Sequence, residues 1–104
     1  MQIQINTDHN IKESEALRVK FIELIKIELK NFSSHISRLE VHFTDENGNK
    51  IGQMDKKCLI EARIEGRQPI AVNNHSNTED LALDGAIEKL KHSLTSILGA
   101  LRNH

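Results

Sequence analysis

The chain has 104 residues, 38% of them hydrophobic, with a formal net charge of −1, one cysteine and three aromatic side chains, all Phe. That length supports one domain with its own core, spanning residues 1–104. It carries no disulfide framework, no cysteine-rich zinc site and no run near the ~18 apolar residues of a membrane span. A near-neutral charge also argues against the strongly basic type of nucleic-acid binder, and the lack of Trp and Tyr argues against base stacking.

Gln2-Ile3-Gln4-Ile5-Asn6 alternates strictly and predicts a short strand with one wet face. MQIQINTDHN lacks the basic and apolar regions of a secretory signal, so a reducing cytoplasm is the expected location. Thr7 to Lys12 reads as a turn. From Ser14 to about Phe32 the spacing predicts a helix, with Leu17, Phe21, Leu24, Ile25 and Phe32 in one stripe and Ile22 and Leu29 widening it. Ser33-Ser34 is its expected end.

Ile36 to Thr44 alternates again, with Leu39, Val41 and Phe43 on one face and Arg38, Glu40 and His42 on the other. Asp45 to Asn49 is turn chemistry leading into a polar hairpin loop that runs to Asp55. Lys57 to Glu65 predicts a third strand, with Cys58, Ile60, Ala62 and Ile64 facing one way. Gly66-Arg67 is a tight turn, and Pro69 opens a fourth strand that runs to about His75. Ser76-Asn77-Thr78-Glu79 fits a capping box with Ser76 as N-cap. The final helix runs to about Arg102, with Leu83, Ala86, Ile87, Leu90, Leu94, Ile97, Leu98 and Leu101 on one face. Gly85 suits close packing on the sheet.

The order β-α-β-β-β-α predicts an α+β fold: a four-stranded sheet with both helices packed on one face. The other face, carrying Glu40, His42, Glu61 and Arg63, is left to solvent or to a partner.

Few residues carry chemistry. Asp45, Asn47 and Asn49 begin a calcium-loop pattern, but Lys50 and Lys56 occupy the glycine and closing-glutamate positions, which rules it out. No histidine pair has helical metal-ligand spacing, and His42 with His75 lacks a third ligand, so no metal is expected. Cys58 shares the parity of apolar neighbours and reads as a small core residue. With no phosphate loop and no nucleophile elbow, neither enzymatic activity nor a cofactor nor a small-molecule substrate is expected. The cations remain. Arg18, Lys20, Lys26 and Lys30 lie on the first helix, and Lys89, Lys91 and Arg102 on the second, where no acid follows Glu88. Lys56, Lys57, Arg63 and Arg67 form a third group on the strand hairpin.

Met1-Gln2-Ile3-Gln4-Ile5, Ser14-Glu15-Ala16-Leu17-Arg18 and above all Ala82-Leu83-Asp84-Gly85-Ala86-Ile87-Glu88-Lys89-Leu90 carry a resemblance. The chain resembles the ribosome hibernation promoting factor family, which includes the ribosome-associated inhibitor A proteins, once called sigma-54 modulation proteins. The likeness covers nearly the whole chain and agrees with the β-α-β-β-β-α order. It implies a stress-response factor that binds the small ribosomal subunit through 16S rRNA phosphates and blocks the mRNA and tRNA channel. Arg18 matches the family's arginine at the helix entry, Lys89 the lysine of its D-K-L run, and Arg102 a basic tail position. With these, Lys26, Lys30 and Lys91 make up the expected RNA-binding set.

Family members commonly end the second helix with a lysine-rich run, where this chain has Ser96, Leu98, Gly99 and Ala100. It looks like a short form without the C-terminal dimerisation domain of the long ones. The alternative reading is a protein-interaction module that keeps the fold without the ribosome. It would form a weak homodimer through Leu59, Leu98 and Leu101. On the first reading, Lys→Glu changes at Lys89 and Lys91 are expected to reduce binding without lowering thermal stability.

Overall fold

The computed structural model describes residues 1–8, 14–46 and 55–102, the last three by backbone alone. Seven elements follow one another: β1 (Gln2–Thr7), α1 (Glu15–Glu28), a 3-10 helix (Lys30–His35), β2 (Ile36–Asp45), β3 (Lys56–Ile64), β4 (Ile70–Ser76) and α2 (Glu79–Arg102). The strands form one sheet in the order β1-β2-β3-β4. β2, β3 and β4 are an antiparallel meander, whereas β1 pairs with β2 in parallel, as a helical crossover requires.

The alternation read in the sequence sets the two sheet faces. Leu39, Val41 and Phe43 of β2 and Cys58, Ile60, Ala62 and Ile64 of β3 are buried. They pack against Phe21 and Ile25 of α1 and against Ala82, Leu83, Ala86, Ile87, Leu90 and Leu94 of α2. Both helices therefore lie on one face. The Phe21 ring meets the Phe43 ring with centroids 5.1 Å apart. α1 and α2 run in the same direction: Lys20 pairs with Asp80 at their starts, and Glu28 pairs with Lys91 further along.

Ile36 is buried although it sits three residues before Leu39, which simple alternation forbids. Ile36 pairs with Ile64 but Arg38 pairs with Arg63, so Ser37 is an extra residue, a β-bulge that resets the phase. Gly66 has φ of 74° at the third position of the β3–β4 turn, which the Arg67 N–H to Ile64 carbonyl bond of 3.1 Å closes.

Three boundaries differ from the sequence reading. α1 stops at Glu28, and the chain continues as a 3-10 helix that still presents Phe32 to the core. Asp45 is not a turn residue. It ends β2 opposite Lys56, and the next rung is a Glu46 N–H to Asp55 carbonyl bond of 2.9 Å. The rest of that loop, Asn47 and Asn49 of the rejected calcium pattern included, falls outside the described residues, as does most of the Thr7–Lys12 turn.

The third concerns the cap of α2, which is Thr78 and not Ser76. Thr78 Oγ1 accepts from the Leu81 N–H at 3.2 Å, while Ser76 is still paired with Lys56 in the sheet. Gly85 lies against β4 as expected: a Cβ there would fall 2.0 Å from Asn74 Nδ2, which donates to the Ala82 carbonyl. No described helix is long and apolar enough to cross a membrane.

Candidate nucleic-acid interface

The expected RNA-binding residues fall in three places. Lys26 is in the last turn of α1 and Lys30 opens the 3-10 helix; both are exposed. Neither ammonium has an ion pair or hydrogen bond among the described residues, so both are available to phosphate. Lys91 reaches the same end of α1 from α2, but it is engaged. Its Nζ lies 2.7 Å from Glu28 Oε1 and 3.8 Å from Glu88 Oε1. The hydrogen bond to Glu28, helped by the charges of Glu28 and Glu88, raises the Lys91 pKa against the opposing effect of desolvation.

Arg18 sits near the other end of α1, half-buried, donating from Nη1 to the Ile5 carbonyl at 3.3 Å. Lys89 is on the far side of α2, where Nζ donates to the Asn73 carbonyl of β4 at 2.7 Å. β4 is an edge strand, and this bond holds the Lys89 ammonium beside its backbone. The backbone of Arg102 ends α2, and its side chain lies outside the described residues. The set is thus not one continuous patch.

The hairpin cations divide further. Lys56 is bound to Asp45 at 2.9 Å and Asp55 at 3.6 Å, both of them buried carboxylates. The Asp45 hydrogen bond, with the charges of Asp45, Asp55 and Glu79, raises its pKa despite desolvation. Lys56 is therefore a clamp at the base of the loop. Lys57 and Arg63 stand at opposite ends of β3 on the open sheet face, and Arg67 is exposed in the turn beyond.

These pairings change the outcome expected of one substitution. Lys91→Glu sets a third carboxylate beside Glu28 and Glu88, so it is expected to lower Tm, unlike the neutral outcome first anticipated. Added salt should narrow the deficit by screening. Thermal melts of Lys91→Glu at low and high salt check this. An unchanged Tm at low salt would remove Lys91 from the helix–helix contact.

The apolar surface also differs from expectation. Leu98 is 6% exposed and belongs to the core, and Leu59 is half-buried on the open sheet face. Leu101 lies outside the residues whose side chains are described. Val19 (50% exposed), Ile27 (67%) and Leu81 (52%) are the exposed large hydrophobics among the described residues. Val19 and Ile27 share the outer stripe of α1 with Lys26.

Cys58 is fully buried, and that burial pushes its thiol up to about 12. The thiolate is the reactive form. A thiol reagent at pH 8 is expected to label Cys58 only after the protein is unfolded in denaturant. Rapid labelling of the native protein would mean that the β3 core opens readily. The raised value also sets a pH effect on stability. Between the unfolded value of 9.0 and about 12, the unfolded chain ionises this thiol and the folded chain does not, so stability falls as pH rises through that window.

No family model matches the sequence, and no curated protein matches it. Solved structures do. A ribosomal subunit interface protein from Coxiella burnetii superposes with a TM-score of 0.71 at 22% identity, covering 95% of this chain and 99% of that one. The chain shares its fold. The N-terminal domain of Protein Y from Thermus thermophilus gives the same TM-score at 16% identity, covering 93% of this chain and 99% of that domain. The match over nearly the full length of both structures includes the β-α-β-β-β-α order expected from the resemblance. At these identities the likeness establishes the fold and leaves the residues of any interface to be argued from this chain.

Proposed function

We propose that this chain binds the small ribosomal subunit through rRNA phosphates and blocks the mRNA and tRNA channel. It would act as a cytoplasmic, non-enzymatic inhibitor that holds ribosomes idle under stress. The supporting observation is its likeness, across 95% of its length, to a ribosomal subunit interface protein. Recognition of this kind reads backbone charge and helix shape, not base sequence, and needs neither a cofactor nor aromatic platforms.

The cations contribute unequally. Lys26 and Lys30 enter the contact without breaking an interaction among the described residues. Lys89 and Arg18 must share their donors with the Asn73 and Ile5 carbonyls, and Lys91 must exchange Glu28 for phosphate. Arg102 adds to the set at the C-terminal end of α2.

Sucrose-gradient sedimentation of lysate from starved cells, blotted for this protein at low and high salt, tests the reading. Co-migration with small subunits or whole ribosomes, lost at high salt, is the expected result. Recovery at the top of the gradient even at low salt would refute it.

A second reading, a protein-interaction module, draws on the net charge of −1 and on the exposed Val19 and Ile27. The weak homodimer would then form through the outer stripe of α1, because Leu98 is not accessible. Sedimentation velocity of the isolated protein over a concentration series separates the two: a concentration-dependent dimer favours the second, a monomer throughout the first.

A further inference from the structure

The open face of the sheet, opposite both helices, carries a cluster that ribosome binding through the helical cations does not use. Glu40 and His42 lie two apart on β2 and so point the same way, and Glu61 of β3 pairs directly with Glu40. One ligand atom from each of Glu40, His42 and Glu61 lies within 4.8 Å of the other two. His42 Nε2 and Glu61 Oε1 are 3.0 Å apart. Two ligands held at ~2.0–2.1 Å from a tetrahedral zinc ion are themselves roughly 3.3 Å apart, so this edge is already at coordination spacing. The remaining closure is a rotamer adjustment of half-exposed Glu side chains.

We propose that Glu40, His42 and Glu61 bind a divalent transition-metal ion of the zinc class, with coordination positions left open to solvent. One imidazole and two carboxylates suit zinc, cobalt, nickel or manganese. They do not suit calcium or magnesium, which prefer oxygen alone.

Three features of the site support it. The first is electrostatic. Glu40 and Glu61 are directly opposed across two strands, a like-charge pair that destabilises a sheet, and Arg38 bonds only one of them, Glu40 Oε1 at 3.0 Å. A bound dication removes the repulsion.

The second is the support behind the ligands. Asn6 Nδ2 of β1 lies 3.3 Å from His42 Nδ1. In that orientation His42 donates its Nε2–H to Glu61. Exchange of the Asn6 amide O and N, which gives up the 3.2 Å bond that Gln4 Nε2 donates to Asn6 Oδ1, turns its oxygen to the ring. Nδ1–H then donates to Asn6 and the Nε2 lone pair faces the carboxylates. An outer partner that fixes the imidazole tautomer is the usual companion of a metal-ligating histidine.

The third is space. Arg38, Glu40, Glu61, Ala62, Arg63 and Pro69, but not His42, line a concavity of about 130 Å³ on the carboxylate side of the cluster, with the Arg38 and Arg63 cations on its wall. That is room for several waters at roughly 30 Å³ each to complete the coordination shell. The other sheet-face histidine, His75, is on β4 beside Glu46, with β3 between it and His42. It supplies an internal control.

The test is calorimetric titration of the tag-free, metal-stripped full chain with zinc chloride. One zinc per chain is expected. His42→Ala and Glu61→Gln are each expected to weaken binding by about tenfold or more, the least that even an outer-shell loss costs. His75→Ala should leave affinity unchanged. Glu61 is exposed, so Glu61→Gln keeps the test valid if His42→Ala folds poorly. No saturable binding, or binding of equal strength in Glu61→Gln, would overturn the proposal. The second outcome would mean adventitious capture by other surface histidines.

Discussion

Phe43→Ala is expected to cost about 3–5 kcal/mol, the range for removing a fully buried phenylalanine. Phe43 is 1% exposed on β2, between Thr7 of β1 and Cys58 of β3, and its ring is stacked obliquely on Phe21 at 31°. Truncation opens a void where the sheet meets α1 and removes an aromatic pair worth a further ~0.5–1.5 kcal/mol beyond its area. The whole domain is held by roughly 5–15 kcal/mol. With Tm moving about 4–8 °C per kcal/mol in a domain of this size, the drop should exceed ~12 °C. Urea denaturation followed by circular dichroism should show a lower midpoint with an unchanged slope. Phe32→Ala, on the half-buried 3-10 segment, should cost clearly less. Equal losses at the two positions would mean that the ring contact with Phe21 contributes little.

The position of Phe43 was legible before any coordinates, because strict alternation from Leu39 to Phe43 admits one inward face. The same holds for Cys58 to Ile64 and for the apolar stripe of α2. Ser37 was not legible. A bulge leaves no compositional mark when the inserted residue is a polar one at the end of a strand. The end of α1 was misplaced for a related reason. A 3-10 turn advances nearly the same face as an α-turn, so Phe32 continues the apolar stripe across a change of helix type. At the start of α2, Ser76 and Thr78 are both good caps. Ser-x-x-Glu favours Ser76 locally, but the β3–β4 ladder holds Ser76 extended, and long-range pairing prevails over the local motif.

The interface was less legible than the fold because charge partners are distant in sequence. Lys91 and Glu28 are 63 residues apart, and Lys20 and Asp80 are 60 apart. Helical periodicity places each cation on a helix surface. It does not reveal that parallel helices bring an acid to Lys91 and, among the described residues, leave Lys26 and Lys30 without one. The carbonyl beneath Lys89 is equally invisible, since every residue has one. The Glu40, His42 and Glu61 cluster shows why strand register matters: shared parity on β2 was evident, but its registration with Glu61 required the pairing.

The double variant Lys26→Gln/Lys30→Gln should weaken ribosome binding about 15- to 30-fold at physiological salt and leave stability almost untouched. Each phosphate neutralised contributes roughly 0.7–0.9 to the slope of log affinity against log salt. Carried from 1 M to about 0.15 M salt, one such contact amounts to a factor of about 4–5.5, and two to about 15–30. The salt slope itself should flatten by about 1.4–1.8. Neutral glutamine adds no repulsion, so the loss reads the contacts alone. Both side chains are exposed and without partners among the described residues, and such substitutions usually stay within about 0.5 kcal/mol. Lys91→Gln makes an informative comparison. There the ribosome must compete with Glu28, so the expected loss of affinity is smaller and the loss of stability larger. Binding to purified small subunits across a salt series, paired with thermal melts, measures both quantities. A double variant that binds with the parent's affinity and slope would move the contact away from the C-terminal end of α1, leaving Arg18, Lys89 and Arg102 to carry it.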